Sequence, residues 1–162
     1  PITIPMSDGH GPAMYQHKPS DYRHKYVDAP TRNLFEFGYG LSYTTFKYDK
    51  PRLAKSIISS AETTSVSVNV SNTGDVRGDE IVQLYIRDNY SQVTRPVKEL
   101  KGFKKINLAP NESKMVTFKI TPDMLAYYDL DMNYVVEPGK FTLMVGSSSR
   151  NSDLKKAYLE VK

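Results

Sequence analysis

The sequence contains no cysteine and no tryptophan. Without thiols the chain has no disulfide, no thiolate metal site and no cysteine nucleophile, so a small β domain in it must depend on its hydrophobic core. No apolar run approaches the roughly 18 residues of a transmembrane helix, so no membrane span is predicted. The opening residues, PITIPMSDGH, lack the basic region and apolar stretch of a signal peptide.

The charge is close to balanced. The chain has 162 residues, with 22 Lys and Arg against 18 Asp and Glu, and a net charge of +4. The densest basic stretch, residues 95–105, includes Glu99 among its lysines, which is typical of a solvated strand face. A nucleic-acid surface would need denser charge and exposed aromatic residues. We therefore expect neither nucleic acid nor a membrane as a partner.

The chain divides into two regions. Residues 1–43 hold five of the ten prolines and all three histidines, without any hydrophobic period, and are predicted to be an irregular connector. Residues 44–162 consist of short alternating segments separated by turn signals. In residues 65–72, for example, Val66, Val68 and Val70 alternate with small polar residues, which indicates a half-buried antiparallel strand.

The whole second region follows this pattern. Seven to eight short strands are typical of an all-β, immunoglobulin-like β-sandwich, here with an irregular N-terminal extension. Leu100 and Phe103 are out of phase in the third strand, which predicts a β-bulge near Gly102. Thr121 and Pro122 predict a single helical turn, and residues 129–133 a hairpin loop.

Two patterns suggest a metal, and both fail. Residues 129–133 begin like a calcium loop, but the required glycine and final acid are replaced by Tyr134 and Lys140. His10, His17 and His24 are evenly spaced, but intervening prolines prevent a helix from aligning them, and irregular chain provides no supporting shell. No cofactor, metal or catalytic residue is predicted.

Aromatic residues and glycines concentrate in residues 37–46, FGYGLSYTTF. Phe37, Tyr39, Tyr43 and Phe46 are interpreted as an interdomain packing seam, since glycines beside aromatics permit close backbone approach. A sugar-stacking platform is the open alternative.

Four segments together resemble a known family: FGYGLSYTTF, DEIVQLYIRD, RPVKELKGFKKINLAPNES and VVEPGKFTLMVGSSS. They are similar to the C-terminal fibronectin type III-like domain of family 3 glycoside hydrolases, in particular bacterial β-glucosidases and β-xylosidases. The stretch before them resembles the tail of the α/β sandwich domain that precedes it, so the resemblance covers nearly the whole chain. It implies domains at 1–43 (connector) and 44–162 (fibronectin type III-like sandwich).

The resemblance implies a parent enzyme that hydrolyses terminal β-D-glucosyl or xylosyl residues with retention, using two carboxylates. In the family both carboxylates lie in domains upstream, so no acid of this chain is assigned a catalytic role. The implied function is to stabilise and orient those catalytic domains, which are the expected partners, with carbohydrate bound only through the parent. A periplasmic or extracellular location is expected, with a cytoplasmic one left open.

Further expectations concern individual surfaces. The polar loop 89–96, with Asn89, Tyr90 and Arg95, is predicted to reach towards the substrate entrance. Ile2, Ile4 and Tyr15 are expected to be exposed in the isolated chain and to promote a dimer. The alternative functions are an independent carbohydrate-binding or adhesion module, which would need an exposed aromatic row, and a complete small enzyme.

Overall fold

The computed structural model of the protein describes residues 2–8, 14–18 and 33–162. Most of the described chain forms two antiparallel sheets packed face to face. The first sheet contains β1 (Phe46–Tyr48), β2 (Arg52–Leu53), β4 (Thr64–Asn72) and β7 (Ser113–Ile120). The second contains β3 (Ile57–Ile58), β5 (Gly78–Asp88), β6 (Glu99–Leu108), β10 (Gly139–Gly146) and β11 (Lys155–Val161).

Strand β4 is the centre of the first sheet. It pairs with β7 along its whole length, while the short strands β1 and β2 share its other edge. Val66, Val68 and Val70 are buried, and the polar residues between them face outwards, as the alternation predicts. On the outer face of this sheet Ser67 bonds Thr117 and Ser71 bonds Ser113, and Asn69 and Met115 lie between these two pairs.

The second sheet has the strand order β3-β11-β10-β5-β6, and only the β3–β11 pair is parallel. The predicted bulge is confirmed. Leu84 pairs with Gly102 while the next residue, Tyr85, pairs with Leu100, so Lys101 is the extra residue. The bulge restores the phase of β6, because it lets Leu100 face outwards while Ile106 and Leu108 face the core.

The core lies between the two sheets and contains alternate residues of the long strands. These are Val66, Val68, Val70, Val82, Leu84, Ile86, Ile106, Leu108, Val116, Phe118, Ile120, Phe141, Leu143, Val145, Ala157, Leu159 and Val161. The predicted all-β sandwich is confirmed. The two sheets of the described chain contain nine strands instead of the seven to eight predicted. The prediction was too low because β1, β2 and β3 are only two or three residues long and too short to show a period.

A one-turn helix and a hairpin connect the sheets, as predicted. Helix α1 (Pro122–Leu125) begins with its proline, although the Thr121 side chain makes no capping hydrogen bond. Strands β8 (Tyr127–Tyr128) and β9 (Tyr134–Val135) then pair across the turn. The Asp129 carboxylate accepts hydrogen bonds from the backbone N–H groups of Asp131 and Asn133, so it closes the turn.

The outer face of the second sheet carries a smaller hydrophobic cluster. Tyr85, Met144 and Leu154 are buried there, beneath Tyr15 and Phe37 of the N-terminal region. The N-terminal region therefore packs on the sandwich and covers part of this face. Among the described residues, no helix combines the length and apolar character needed to cross a bilayer.

Candidate interdomain docking site

Residues 33–43 are the end of the predicted connector and lead into β1 along the second sheet. From here on the name connector refers to residues 33–43 only. The backbone N–H of Ser149, in the loop between β10 and β11, donates to the Phe37 carbonyl at 2.9 Å. On the other side, Ile4 forms an isolated antiparallel bridge with Phe35. The N–H of Val97 also donates to the carbonyl of His17 at 2.9 Å. Backbone hydrogen bonds therefore hold the connector and residues near it.

Phe37 is the aromatic anchor of the connector. Its ring stacks on Tyr15 with a centroid distance of 4.2 Å, and Tyr15 in turn meets Tyr85 edge-on at 5.9 Å. The expectation that Tyr15 is exposed is therefore wrong, because these two contacts half-bury its ring. Phe37 packs within this chain and closes the smaller cluster.

Gly38 explains how the connector comes so close to the sheet. It has a positive φ of 78°, and an added Cβ would lie 2.2 Å from the side-chain oxygen of Gln83. The Gln83 amide donates to the Gly38 carbonyl at 3.2 Å, while its oxygen accepts the Tyr85 hydroxyl proton at 2.5 Å. Only glycine provides both the backbone conformation and the space at this position.

Tyr39 also packs within the chain. Its ring stacks on Phe35 at 5.4 Å, and the guanidinium of Arg150 lies 4.6 Å from the ring centroid. Arg150 follows the loop residue that binds Phe37, so this cation–π contact is a second link between the connector and the β10–β11 loop.

A buried lysine fixes the same loop. The Lys98 ammonium donates to the Ser149 carbonyl at 2.8 Å and to the Asn151 side-chain oxygen at 2.6 Å. Burial lowers the pKa of Lys98, since desolvation penalises the ammonium form. Within residues 2–8, 14–18 and 33–162, Lys98 has no carboxylate in salt-bridge range, so neutral oxygens alone hold it.

The other two predicted packing residues have different environments. Phe46 lies at the start of β1 and packs against the sandwich core. Tyr43 is fully exposed, and Leu41 beside it is 90% exposed. The connector therefore uses Phe37 and Tyr39 to bind its own sandwich and leaves Leu41 and Tyr43 without cover from the described chain.

Other exposed apolar residues lie in the same N-terminal part of the chain, and the whole set is here called the docking patch. Ile2 and Ile4 are exposed, as expected, and so are Leu34 and Phe35 next to the isolated bridge. The docking patch consists of Ile2, Ile4, Leu34, Phe35, Leu41 and Tyr43. Exposed large apolar residues concentrated in one part of a chain are typical of a protein interface.

The predicted entrance loop lies at the end of β5. The Asn89 side-chain oxygen accepts a hydrogen bond from the Thr142 hydroxyl at 3.0 Å, and Tyr90 is 80% exposed. Arg95, in contrast, is held by contacts within the domain. Its guanidinium contacts Asp88 at 3.2 Å and Glu99 at 2.8 Å, and it donates to the Leu125 carbonyl.

The Arg95 cluster was missed by sequence reasoning. Its carboxylate Asp88 is almost fully covered, and burial raises the pKa of this group even though Arg95 opposes that shift. The Arg95 guanidinium also lies 5.0 Å from the centre of the Tyr127 ring. Arg95 therefore joins the ends of β5, β6 and α1, and only Asn89 and Tyr90 of the three predicted loop residues have side chains facing a groove.

No metal constellation is found in the part of the chain that the structure describes. That part contains no group of three His, Asp or Glu residues able to hold a metal ion. His17 is exposed, with its Nδ1 3.1 Å from the Lys18 carbonyl, while His10 and His24 lie outside the described residues.

Known proteins are similar to this chain in both sequence and fold. A family model described as "Fibronectin type III-like domain" matches residues 80–149. A β-xylosidase of Formosa agariphila is 47% identical over 99% of this chain, and a periplasmic β-glucosidase of Salmonella typhimurium is 39% identical over 92% of it. A solved β-glucosidase of Erythrobacter marinus superposes with a TM-score of 0.93 at 38% identity, over 99% of this chain and 21% of that one.

These relatives are much longer than the chain. It spans 23% of the Formosa β-xylosidase and 21% of the Salmonella β-glucosidase. A solved β-glucosidase of Listeria innocua in complex with glucose matches 98% of this chain over 23% of its own length, with 33% identity and a TM-score of 0.88. The sandwich topology, the motifs and these matches agree: the chain belongs to the C-terminal fibronectin type III-like domains of family 3 glycoside hydrolases.

Proposed function

We propose that this chain is the non-catalytic C-terminal domain of a retaining β-glycosidase that hydrolyses terminal β-D-glucosyl or xylosyl residues. In this proposal its docking patch is buried against the upstream catalytic domains and holds their orientation. The names of the relatives, β-xylosidase and β-glucosidase, support the substrate class. The presence of a periplasmic enzyme among them supports a periplasmic or extracellular location.

One observation carries the proposal: the connector is bonded to the sandwich on one side and apolar on the other. Phe37, Gly38 and Tyr39 hold it in place, whereas Leu41 and Tyr43 project from it. A segment ordered in this way loses little conformational entropy on docking. Burying one large apolar side chain contributes roughly 1.5–3 kcal/mol, so these two residues alone would stabilise an interface substantially.

The full-length enzyme provides the test. The double substitution Leu41→Ser and Tyr43→Ser should lower the temperature at which the catalytic domains unfold, because the interface loses its apolar contact. Differential scanning calorimetry resolves this, as a single cooperative transition should separate into two. If the domain orients the active site, the double substitution should also lower kcat/KM on aryl glycosides.

Met115→Ser is the matched control, since Met115 is an exposed apolar residue on the outer face of the other sheet. It should leave the calorimetric transition unchanged. Equal behaviour of the double variant and this control would contradict docking through the connector.

An independent carbohydrate-binding or adhesion module is the alternative. Such a module would be complete in itself and would not need an apolar docking patch, so the exposure of Leu41 and Tyr43 favours the accessory domain. The same patch would drive dimer formation in the isolated chain, where no catalytic domain covers it.

A further inference from the structure

The outer face of the second sheet has two halves. One half, around Tyr85 and Met144, lies beneath Tyr15 and Phe37. The other half is formed by the end of β5, the start of β10 and the end of β11, and none of the described N-terminal residues lines it. A groove of about 810 Å³ runs across this open half.

The pairing of the strands places the groove residues in rows. Thr142 is the cross-strand partner of both Arg87 and Tyr158, so these three side chains form one row on the outer face. Lys140 pairs with Glu160 in the next row. Neighbours within a row are about 4.5–5.5 Å apart, and successive rows on one face are about 7 Å apart, so a ligand two sugar rings long would contact both rows.

Two tyrosines supply the aromatic surface of the groove, which Ile57 also lines. Tyr158 on β11 is 67% exposed, and Tyr90, from the loop after β5, is exposed beside the same groove. Ring faces of this kind match the C–H face of a pyranose, while the phenol hydroxyl stays solvated.

The polar groups around these rings have hydrogen-bonding capacity that the described chain does not use. Among the described residues, the charged ends of Arg87, Lys140 and Glu160 enter no salt bridge, in contrast to the fully engaged Arg95. Asn89 accepts the Thr142 hydroxyl proton through its oxygen, which leaves its amide N–H groups to donate elsewhere. The groove thus combines ring faces with guanidinium, ammonium, amide and carboxylate groups, which can hydrogen-bond sugar hydroxyls.

We propose that this groove binds a pyranose oligosaccharide, with sugar rings stacked on Tyr90 and Tyr158 and hydroxyls bonded by Arg87, Lys140 and Asn89. Two cations face one carboxylate here, so a glycan that carries a uronic acid binds more tightly than a neutral one. The site is separate from the docking patch, since the two share no residue. The domain then has a ligand of its own besides the upstream domains.

The isolated chain can be tested directly by NMR, in ¹H–¹⁵N titrations with xylohexaose, cellohexaose and a xylo-oligosaccharide that carries one glucuronic acid. Shift changes should be confined to the groove residues. Tyr158→Ala and Tyr90→Ala should each weaken binding by about tenfold. Tyr158→Phe should retain most of the affinity, because the stacking face remains.

Arg87→Ala should abolish the preference for the acidic oligosaccharide, and added salt should reduce that preference in the unchanged chain. Tyr128→Ala is the matched control: it removes an exposed tyrosine that lies outside both the groove and the docking patch, and it should leave the affinity unchanged. The absence of groove shifts with all three sugars at about 10 mM would overturn the proposal. So would binding that survives the double substitution Tyr90→Ala and Tyr158→Ala.

Discussion

At the scale of single residues, a partly buried hydrogen bond joins two ionisable groups beside the core. The Tyr48 hydroxyl donates to the Glu80 carboxylate at 2.6 Å, between β1 and β5. Burial raises the pKa of Glu80, although the hydrogen bond from Tyr48 opposes this shift. Burial and the nearby Glu80 also raise the pKa of Tyr48. The sandwich therefore bears the cost of a partly desolvated carboxylate at neutral pH.

This pair predicts a pH-dependent stability. The pKa of Glu80 is higher in the folded state than in the unfolded state. The contribution of Glu80 to the free energy of unfolding is therefore most favourable below the unfolded-state pKa, and it is lost as the pH rises through the folded-state pKa. Glutamine does not ionise, so Glu80→Gln should gain stability relative to the original chain as the pH rises from about 4 to about 7. Urea unfolding at several pH values measures this difference.

Tyr48→Phe tests the same hydrogen bond from the tyrosine side. It removes the hydrogen bond that favours the ionised carboxylate, so stability should decline more steeply towards neutral pH than in the unchanged chain. A Glu80→Gln difference that is constant over the whole pH range would contradict the assignment of a raised pKa to Glu80.

At the scale of elements, the connector depends on one glycine. Gly38→Ala should destabilise the chain by about 1–3 kcal/mol, since alanine is strained at a positive φ and its Cβ would displace Gln83. Gly40→Ala is the control, because nothing lies within 4 Å of the added Cβ and φ is not positive. Chemical denaturation compares the two, and equal effects would show that the connector is not packed as described.

The long strands could be predicted from the sequence, and the short ones could not. The valines of β4 and the alternate core residues of β10 repeat with period two, so their faces follow from local sequence. Even the bulge in β6 appears as a break in phase between Leu100 and Phe103. Strands β1, β2 and β3 arise from pairing with β4 and β11, which no local pattern reveals.

The candidate site was predictable as a segment but not residue by residue. The aromatic and glycine content of residues 37–46 indicates packing, yet it does not separate Phe37, which packs inwards, from Tyr43, which is exposed. The difference depends on Tyr85 and Ser149, which are distant in sequence. Arg95 was misleading for the same reason, because its partners Asp88 and Leu125 come from separate elements.

At the scale of the whole molecule, the sandwich separates four tasks. Its disulfide-free core provides the fold, and the covered half of the second sheet holds the connector in place. The docking patch is exposed, and the open half carries the tyrosine-lined groove. The central claim is that the chain supports an active site that lies elsewhere in the parent enzyme.

The most direct test is to prepare this chain and the upstream part of the parent enzyme separately and then mix them. We predict that the chain alone does not hydrolyse aryl β-glucosides or β-xylosides. The upstream part alone should be less active and less heat-stable, and adding the chain should restore both properties. Hydrolysis by the chain alone, or an upstream part that is fully active and stable without it, would contradict the account.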